Sequence, residues 1–248
     1  MSLITYEFPT NQQTRKFLRL EQTFKTVRDL MDIKEIPAQK AALFRLMEII
    51  DFFDRNDIKS ELIKELERLH QNMLILSENP AVDSSKLNYF ISQLIKLSQA
   101  LTQQGRPSDQ LKNDKFLTLV RQKWSLGASL CSFDAPQISY FMSNGPEDTY
   151  IKIASWYDAI KIYRTSANVI LRLYRESGEF KNYITKNLNY QENIDNKIKI
   201  VALKLPQEIE YVPEMSVGAH RMSLQLKPLS NTTTHDIEIQ FSLAFYRA

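Results

Sequence analysis

The sequence predicts an α+β protein, an N-terminal α-helical bundle domain followed by a smaller C-terminal antiparallel β-sheet domain. Two observations carry this prediction. Up to residue 177 the apolar side chains recur at three- and four-residue steps, whereas beyond Gly178 the period falls to two. Helices also precede strands as a block instead of alternating with them, which separates α+β from α/β. The boundary is set at Gly178, giving a mainly helical domain over 1–178, with residues 1–9 as an extended strand joining the sheet, and a β-domain over 179–248.

Ile4 to Phe8 read as a short extended segment ended by Pro9. Thr10 and Gln13 have the spacing of a capping box, so a helix is expected to start there, with Phe17, Leu20, Phe24, Val27 and Met31 as its apolar stripe. A second helix begins near Pro37, carries Leu43, Leu46, Ile50 and Phe53 inward, and stops in Asp54-Arg55-Asn56-Asp57. Leu62, Leu66, Leu69, Met73 and Leu76 mark a third helix. Leu87, Phe90, Leu94, Leu97 and Leu101 mark a fourth, which Gly105-Arg106-Pro107 terminates. Four amphipathic helices on short links describe a bundle. A fifth, over about 109–124, buries Phe116, Val120 and Trp124, and Ser132 to Pro136 caps a short sixth. The stretch from about 147 to 177 is helical by pattern, with Ile160, Tyr163, Val169, Leu173 and Tyr174 inward. Strands follow at Lys197 to Leu205 and Tyr211 to Val217. Met222, Leu224 and Leu226 then alternate with polar neighbours, as do Ile237, Ile239, Phe241, Leu243 and Phe245.

Composition narrows the function. The 248 residues are 43% hydrophobic and 25% charged, enough to bury a core and free of fibrous or disordered bias. The five glycines are far apart, so neither G-x-G nor G-x-x-x-x-G-K occurs and the usual phosphate cradles are excluded. One cysteine and three histidines have no zinc-site spacing, and no cofactor or metal is expected. The chain has no apolar run of membrane-spanning length, and its first ten residues have neither a basic nor an apolar leader region. A cytoplasmic protein that does not engage membrane is expected. Positive and negative charges balance over residues 1–150, so the net +3 lies in 151–248, where an anionic partner would be received.

Catalysis is not expected, since H-E-x-x-H and G-x-S-x-G are absent. Cys131 with His70, His220 or His235 is the pairing available for a thiol nucleophile. Between Leu130 and Ser132, however, the thiol is expected to be buried and structural. The basic positions carry more. Period two places Arg221, Ser223, Gln225 and Lys227 on one face of a strand, with the two cations ~20 Å apart. On the fifth helix Lys112 and Lys115 are neighbours opposite Val120 and Trp124, beside Thr118 and Gln122. Both faces suit an anionic partner. A nucleic acid is the alternative to a protein, but Ser223 and Gln225 do not stack on bases.

Three blocks carry a resemblance. Tyr6-Glu7-Phe8-Pro9-Thr10-Asn11 leads into Arg15 and Phe17-Leu18-Arg19-Leu20-Glu21. Phe53-Asp54-Arg55 leads into Ser60-Glu61-Leu62-Ile63-Lys64-Glu65-Leu66-Glu67-Arg68. Leu119-Val120-Arg121-Gln122-Lys123 leads to Cys131-Ser132-Phe133-Asp134-Ala135-Pro136. In order and spacing the chain resembles the ZapD family of Z-ring-associated cell division proteins. The resemblance implies a non-enzymatic cytoplasmic homodimer at the midcell division site that binds the C-terminal tail of FtsZ and cross-links FtsZ protofilaments. It also implies that basic side chains make the contact, and these carry over to Arg55, Lys115, Arg221 and Arg121. Where the family has a second arginine after the position of Arg221, this chain has Gln225, with Lys227 further along the same face to compensate. Lys123 stands for a common arginine, and Gly127-Ala128-Ser129 replaces a Pro-Gly-Gly turn.

Overall fold

The computed structural model describes residues 2–80, 83–106, 109, 111, 113–124, 131–186, 188–218, 220–229 and 238–248. They form two compact units: residues 1–18 with 169–248, and residues 19–168.

The first unit is built from strands β1 (Leu3–Pro9), β2 (Lys181–Thr185), β3 (Asn189–Asn193), β4 (Ile198–Pro206), β5 (Tyr211–Val217), β6 (Arg221–Pro228) and β7 (Ile239–Arg247). All pairs are antiparallel, in a four-stranded sheet β1-β4-β7-β2 and a three-stranded sheet β3-β6-β5. Two sheets therefore stand where the sequence reading has one. They share one core, in which Val201 and Leu203 of β4 and Phe241 of β7 meet Met222, Leu224 and Leu226 of β6. Tyr183 stacks on Phe241 at 5.8 Å, and Tyr190 meets both rings edge-on, which ties β2, β3 and β7 together. β2 and β3 escaped the sequence reading because each has five residues and little apolar alternation.

Helix α1 (Gln12–Met31) begins at the end of β1. Its cap is Asn11, whose Oδ1 accepts from the Thr14 N–H at 2.8 Å, and not the Thr10 of the expected capping box. Thr10 is committed elsewhere: its hydroxyl donates to the Ile198 and Lys199 carbonyls, and its N–H bonds Lys199. In the same unit Arg175 grips Glu7 through two 2.7 Å contacts, a bidentate pair that anchors β1.

The second unit contains α2 (Ile36–Arg55), α3 (Ile58–Ser77), α4 (Ser84–Gln103), α5 (Lys115–Trp124), α6 (Pro136–Met142) and α7 (Pro146–Ala159), with parts of α1 and of α8 (Lys161–Glu176). The predicted stripes of α1, α2 and α4 are buried throughout. That of α3 is buried only through Leu69, and Leu76 is exposed. Lys59 at the start of α3 donates to the Gln104 carbonyl beyond α4 at 2.6 Å, which sets the two helices antiparallel. Phe24, Phe53, Tyr157 and Tyr163 form an aromatic centre with ring separations of 5.2–6.4 Å.

The helix expected over 147–177 is two, because Ile160 leaves helical geometry at φ −108°, ψ 13°. Ile160 at the break and Tyr163 just beyond it are both fully buried. Gly145, ahead of α7, holds φ +91° and ψ 165°, a conformation essentially reserved for glycine. Lys112, the Gly127-Ala128-Ser129 turn, His235 and Ile237 lie outside the described residues.

Candidate partner-binding surface

Each unit presents part of the cationic set. In the helical unit Arg55 occupies the last turn of α2 and is 79% exposed, with Asp51 one turn back at 3.6 Å. At that separation and exposure the pair neutralises little of the guanidinium's charge. Arg121, near the end of α5, is ion-paired with Asp54 and largely covered. The fold thus brings Arg55 and Arg121 to the same end of α2, with Asp54 occupying the second of them.

Lys115 is the first residue of α5 and is exposed. Among the described residues it makes no ion pair. Its helix is fixed from beneath. Asp114 Oδ1 accepts from the Phe116 and Leu117 N–H groups at 3.0 and 3.1 Å, an N-cap that starts α5; residues 109 and 111 are helical too, so the helix expected over about 109–124 is interrupted at 113–114. The other oxygen accepts from Trp156 Nε1 at 2.9 Å and from Lys152 Nζ at 3.0 Å. Burial works against ionisation of this carboxyl, but the Trp156, Lys152 and Leu117 donors outweigh it and the pKa is lowered. Phe116 stacks on Trp156 at 5.5 Å with parallel rings, and Phe141 packs on both. Phe116 is therefore half-buried in this cluster, while Leu117 takes the fully buried place the sequence reading gave it. Trp124 meets Phe44 at 5.7 Å.

In the β-unit, the alternation of β6 is as expected: Met222, Leu224 and Leu226 are buried and Arg221, Gln225 and Lys227 exposed. The outer face is completed by Asn189, Gln191 and Asn193 of β3 and by Glu214 and Ser216 of β5. Arg221 donates to the Gln191 side-chain carbonyl, a neutral acceptor that leaves its charge uncompensated. Lys227 is ion-paired with Glu214. Between the two cations the face offers amides, hydroxyls and Val212 and no aromatic ring among the described residues, so it has nothing on which a base would stack.

Of the five basic residues, Lys115 and Arg221 have no carboxylate partner among the described residues, Arg55 has a long exposed contact with Asp51, and Arg121 and Lys227 are ion-paired with Asp54 and Glu214. Asp54 and Glu214, which decide this, lie in other elements and had no signal in the sequence.

Cys131 is exposed, contrary to the expected burial. It begins the 131–134 turn, where its carbonyl accepts from the Asp134 and Ala135 N–H groups at 3.0 and 2.9 Å, holding the backbone while the thiol faces out. Among the described residues no cluster of metal-ligating side chains is found. No described helix is long and apolar enough to cross a membrane.

Comparison with known proteins adds to this geometry. The family model described as "ZapD: Cell division protein" matches residues 18–225. The chain is 28% identical over 249 residues to the cell division protein ZapD of Nitrosomonas eutropha, covering 98% of this chain and 99% of the relative. It is 27% identical over 234 residues to that of Pectobacterium carotovorum, covering 94% and 93%. To that of Ralstonia pickettii it is 30% identical over 224 residues, covering 89% and 88%.

Proposed function

The chain belongs to the ZapD family of cell division proteins, and on that footing we propose that it binds the charged C-terminal tail of FtsZ and, as a homodimer, cross-links FtsZ protofilaments into bundles that stabilise the Z-ring. It works in the cytoplasm at the midcell division site, without catalysis and without a cofactor. The observation that supports this reading is the exposed positive charge of Lys115 and Arg221, which have no carboxylate partner among the described residues, and of Arg55, whose contact with Asp51 is long and exposed. A flexible anionic tail suits such cations.

Each exposed ion pair contributes only about 0–1 kcal/mol, so one tail on one subunit is held weakly. A dimer meeting a filament that displays many tails forms its second contact at high effective concentration, and bundling follows from valency. The test is co-sedimentation with FtsZ polymerised in GTP, comparing full-length FtsZ with FtsZ lacking its tail. The protein is expected to pellet with the first and remain in the supernatant with the second. Equal pelleting with both refutes the tail as the contact, and pelleting with neither refutes FtsZ as the partner.

A further inference from the structure

The three-stranded sheet ends on an unpaired edge. The bonds Leu229 N–H to Glu210 C=O and Gly218 N–H to Arg221 C=O flank the β5·β6 pairing and fix its alternation. Even-numbered residues of β5 therefore bond to β6, and Tyr211, Pro213, Met215 and Val217 turn their backbone groups outward. Pro213, which has no N–H to give, accordingly stands where none is used by the sheet. No described strand covers this edge. Among the described residues β1 is also an edge strand, and since its pairing with β4 uses the even-numbered residues from Ser2 to Thr10, the odd-numbered ones turn their backbone groups outward.

Between these edges lies a groove of about 340 Å³ within the β-unit, lined by Phe8 and Pro9, by Met215 and Val217, and by the start of α1 with Arg15. Arg15 is exposed and makes no ion pair among the described residues. No described lining residue is acidic, and neither is any residue in the first turn of α1.

We infer that this groove receives an extended acidic peptide as an additional strand on β5, with one of its carboxylates on Arg15. Met215 and Val217 each offer an outward N–H and C=O, which gives the backbone ladder. Side chains of an added strand alternate, so those facing the groove are ~7 Å apart. One is apolar, against Phe8, Met215 and Val217, and the next carries the carboxylate. The lone guanidinium selects the acid. A second copy of this chain is the poorer occupant, since Pro213 near the middle of β5 would remove a donor from each half of a two-fold strand pairing. Arg221 lies opposite Gly218, just past Val217, so a peptide running along the edge ends beside a cation already assigned to the partner. The inference rests on the proposed function in taking the FtsZ tail as that peptide.

Fluorescence anisotropy with a labelled peptide of the FtsZ C-terminal tail tests it, using the full chain. Loss of one or two backbone hydrogen bonds is worth about tenfold in Kd. N-methylation of one alternate set of peptide amides is therefore expected to raise Kd by about tenfold, and of the other set by less than about twofold. Arg15→Gln should raise Kd by about tenfold and flatten its salt dependence, and Met215→Pro should weaken binding similarly. If that variant does not fold, the methylated peptides decide alone. Equal effects of the two methylated sets, or an Arg15→Gln protein that binds as the wild type does, overturn the groove. If Arg221→Glu abolishes binding while the groove changes are silent, the proposed function stands without the groove. No binding by the wild type overturns both. Altered dimerisation in sedimentation equilibrium at unchanged Kd assigns the edge to self-association and also overturns the inference.

Discussion

Replacing Asp114 by alanine removes four interactions at once, and their cost can be worked out from the structure. Loss of the N-cap to the Phe116 and Leu117 N–H groups costs about 1 kcal/mol. Trp156 is 4% exposed, so leaving its indole N–H unpaired costs about 1–3 kcal/mol. The Lys152 pair is half exposed and adds less than about 1 kcal/mol. The sum is about 2–5 kcal/mol, and for a unit spanning 19–168 this lowers Tm by roughly 5–20 °C in differential scanning calorimetry. Asp114→Asn keeps one acceptor oxygen for the Phe116 and Leu117 amides but turns an NH2 toward the Trp156 indole and Lys152, so it should recover only the cap, about 1 kcal/mol of the alanine loss. The same change has a functional readout under the proposed function, because α5 carries Lys115: binding of the FtsZ tail should weaken in the alanine variant at temperatures where it is still folded. Acid provides a second check. The pKa of Asp114 is lowered in the folded chain, so the unfolded chain takes up the proton first. The stability it contributes is complete above the unfolded value near 3.8 and is lost as pH falls through the lower folded value. In Asp114→Asn this part of the acid sensitivity should disappear. An alanine variant within about 0.5 kcal/mol of wild type would refute the cluster as the support of α5.

Gly178→Ala places a methyl 2.5 Å from the Phe245 carbonyl oxygen, a backbone atom that cannot turn aside, so chemical denaturation should show a loss of at least about 1–3 kcal/mol. Gly145→Ala meets no neighbour within 4 Å but must hold φ +91°, and about 1–3 kcal/mol is expected from backbone strain alone; an unchanged urea midpoint would show that the turn relaxes freely. Arg221→Glu should abolish FtsZ bundling in light scattering while sedimentation equilibrium shows an intact dimer; loss of the dimer would move Arg221 from contact to scaffold. Bundling by the wild type should fall steeply between low and physiological salt as the Debye length shrinks to ~8 Å, and salt-independent bundling would exclude exposed cations as its cause.

Where a residue's fate depends on its own element, the sequence was enough. Leu87, Phe90, Leu94, Leu97 and Leu101 of α4 lie on one stripe and are all buried, and Met222, Leu224 and Leu226 of β6 turn inward by alternation. Burial of a continuous apolar face is the dominant favourable term, and its period is set by helix or strand geometry alone. The exposed places of Lys115 and Arg221 followed in the same way, the first as a solvated helix position and the second as the outward side of a strand, whereas Arg55 was singled out only by the family resemblance.

What remained hidden depends on which elements meet. Thr10 has a cap's chemistry, but β4 takes its hydroxyl and Asn11 caps instead. Leu76 continues the stripe of α3 and is nevertheless exposed. Asp54 and Glu214 neutralise Arg121 and Lys227 across different elements, and no spacing along the chain encodes that meeting. The open edge of β5 became visible only with the register, since a strand's sequence does not state whether a neighbour will pair with its second side. Period and propensity are local properties, written in order along the chain. Pairing, charge compensation and the presence of a free edge are relations between distant segments, which only the packed chain brings into being.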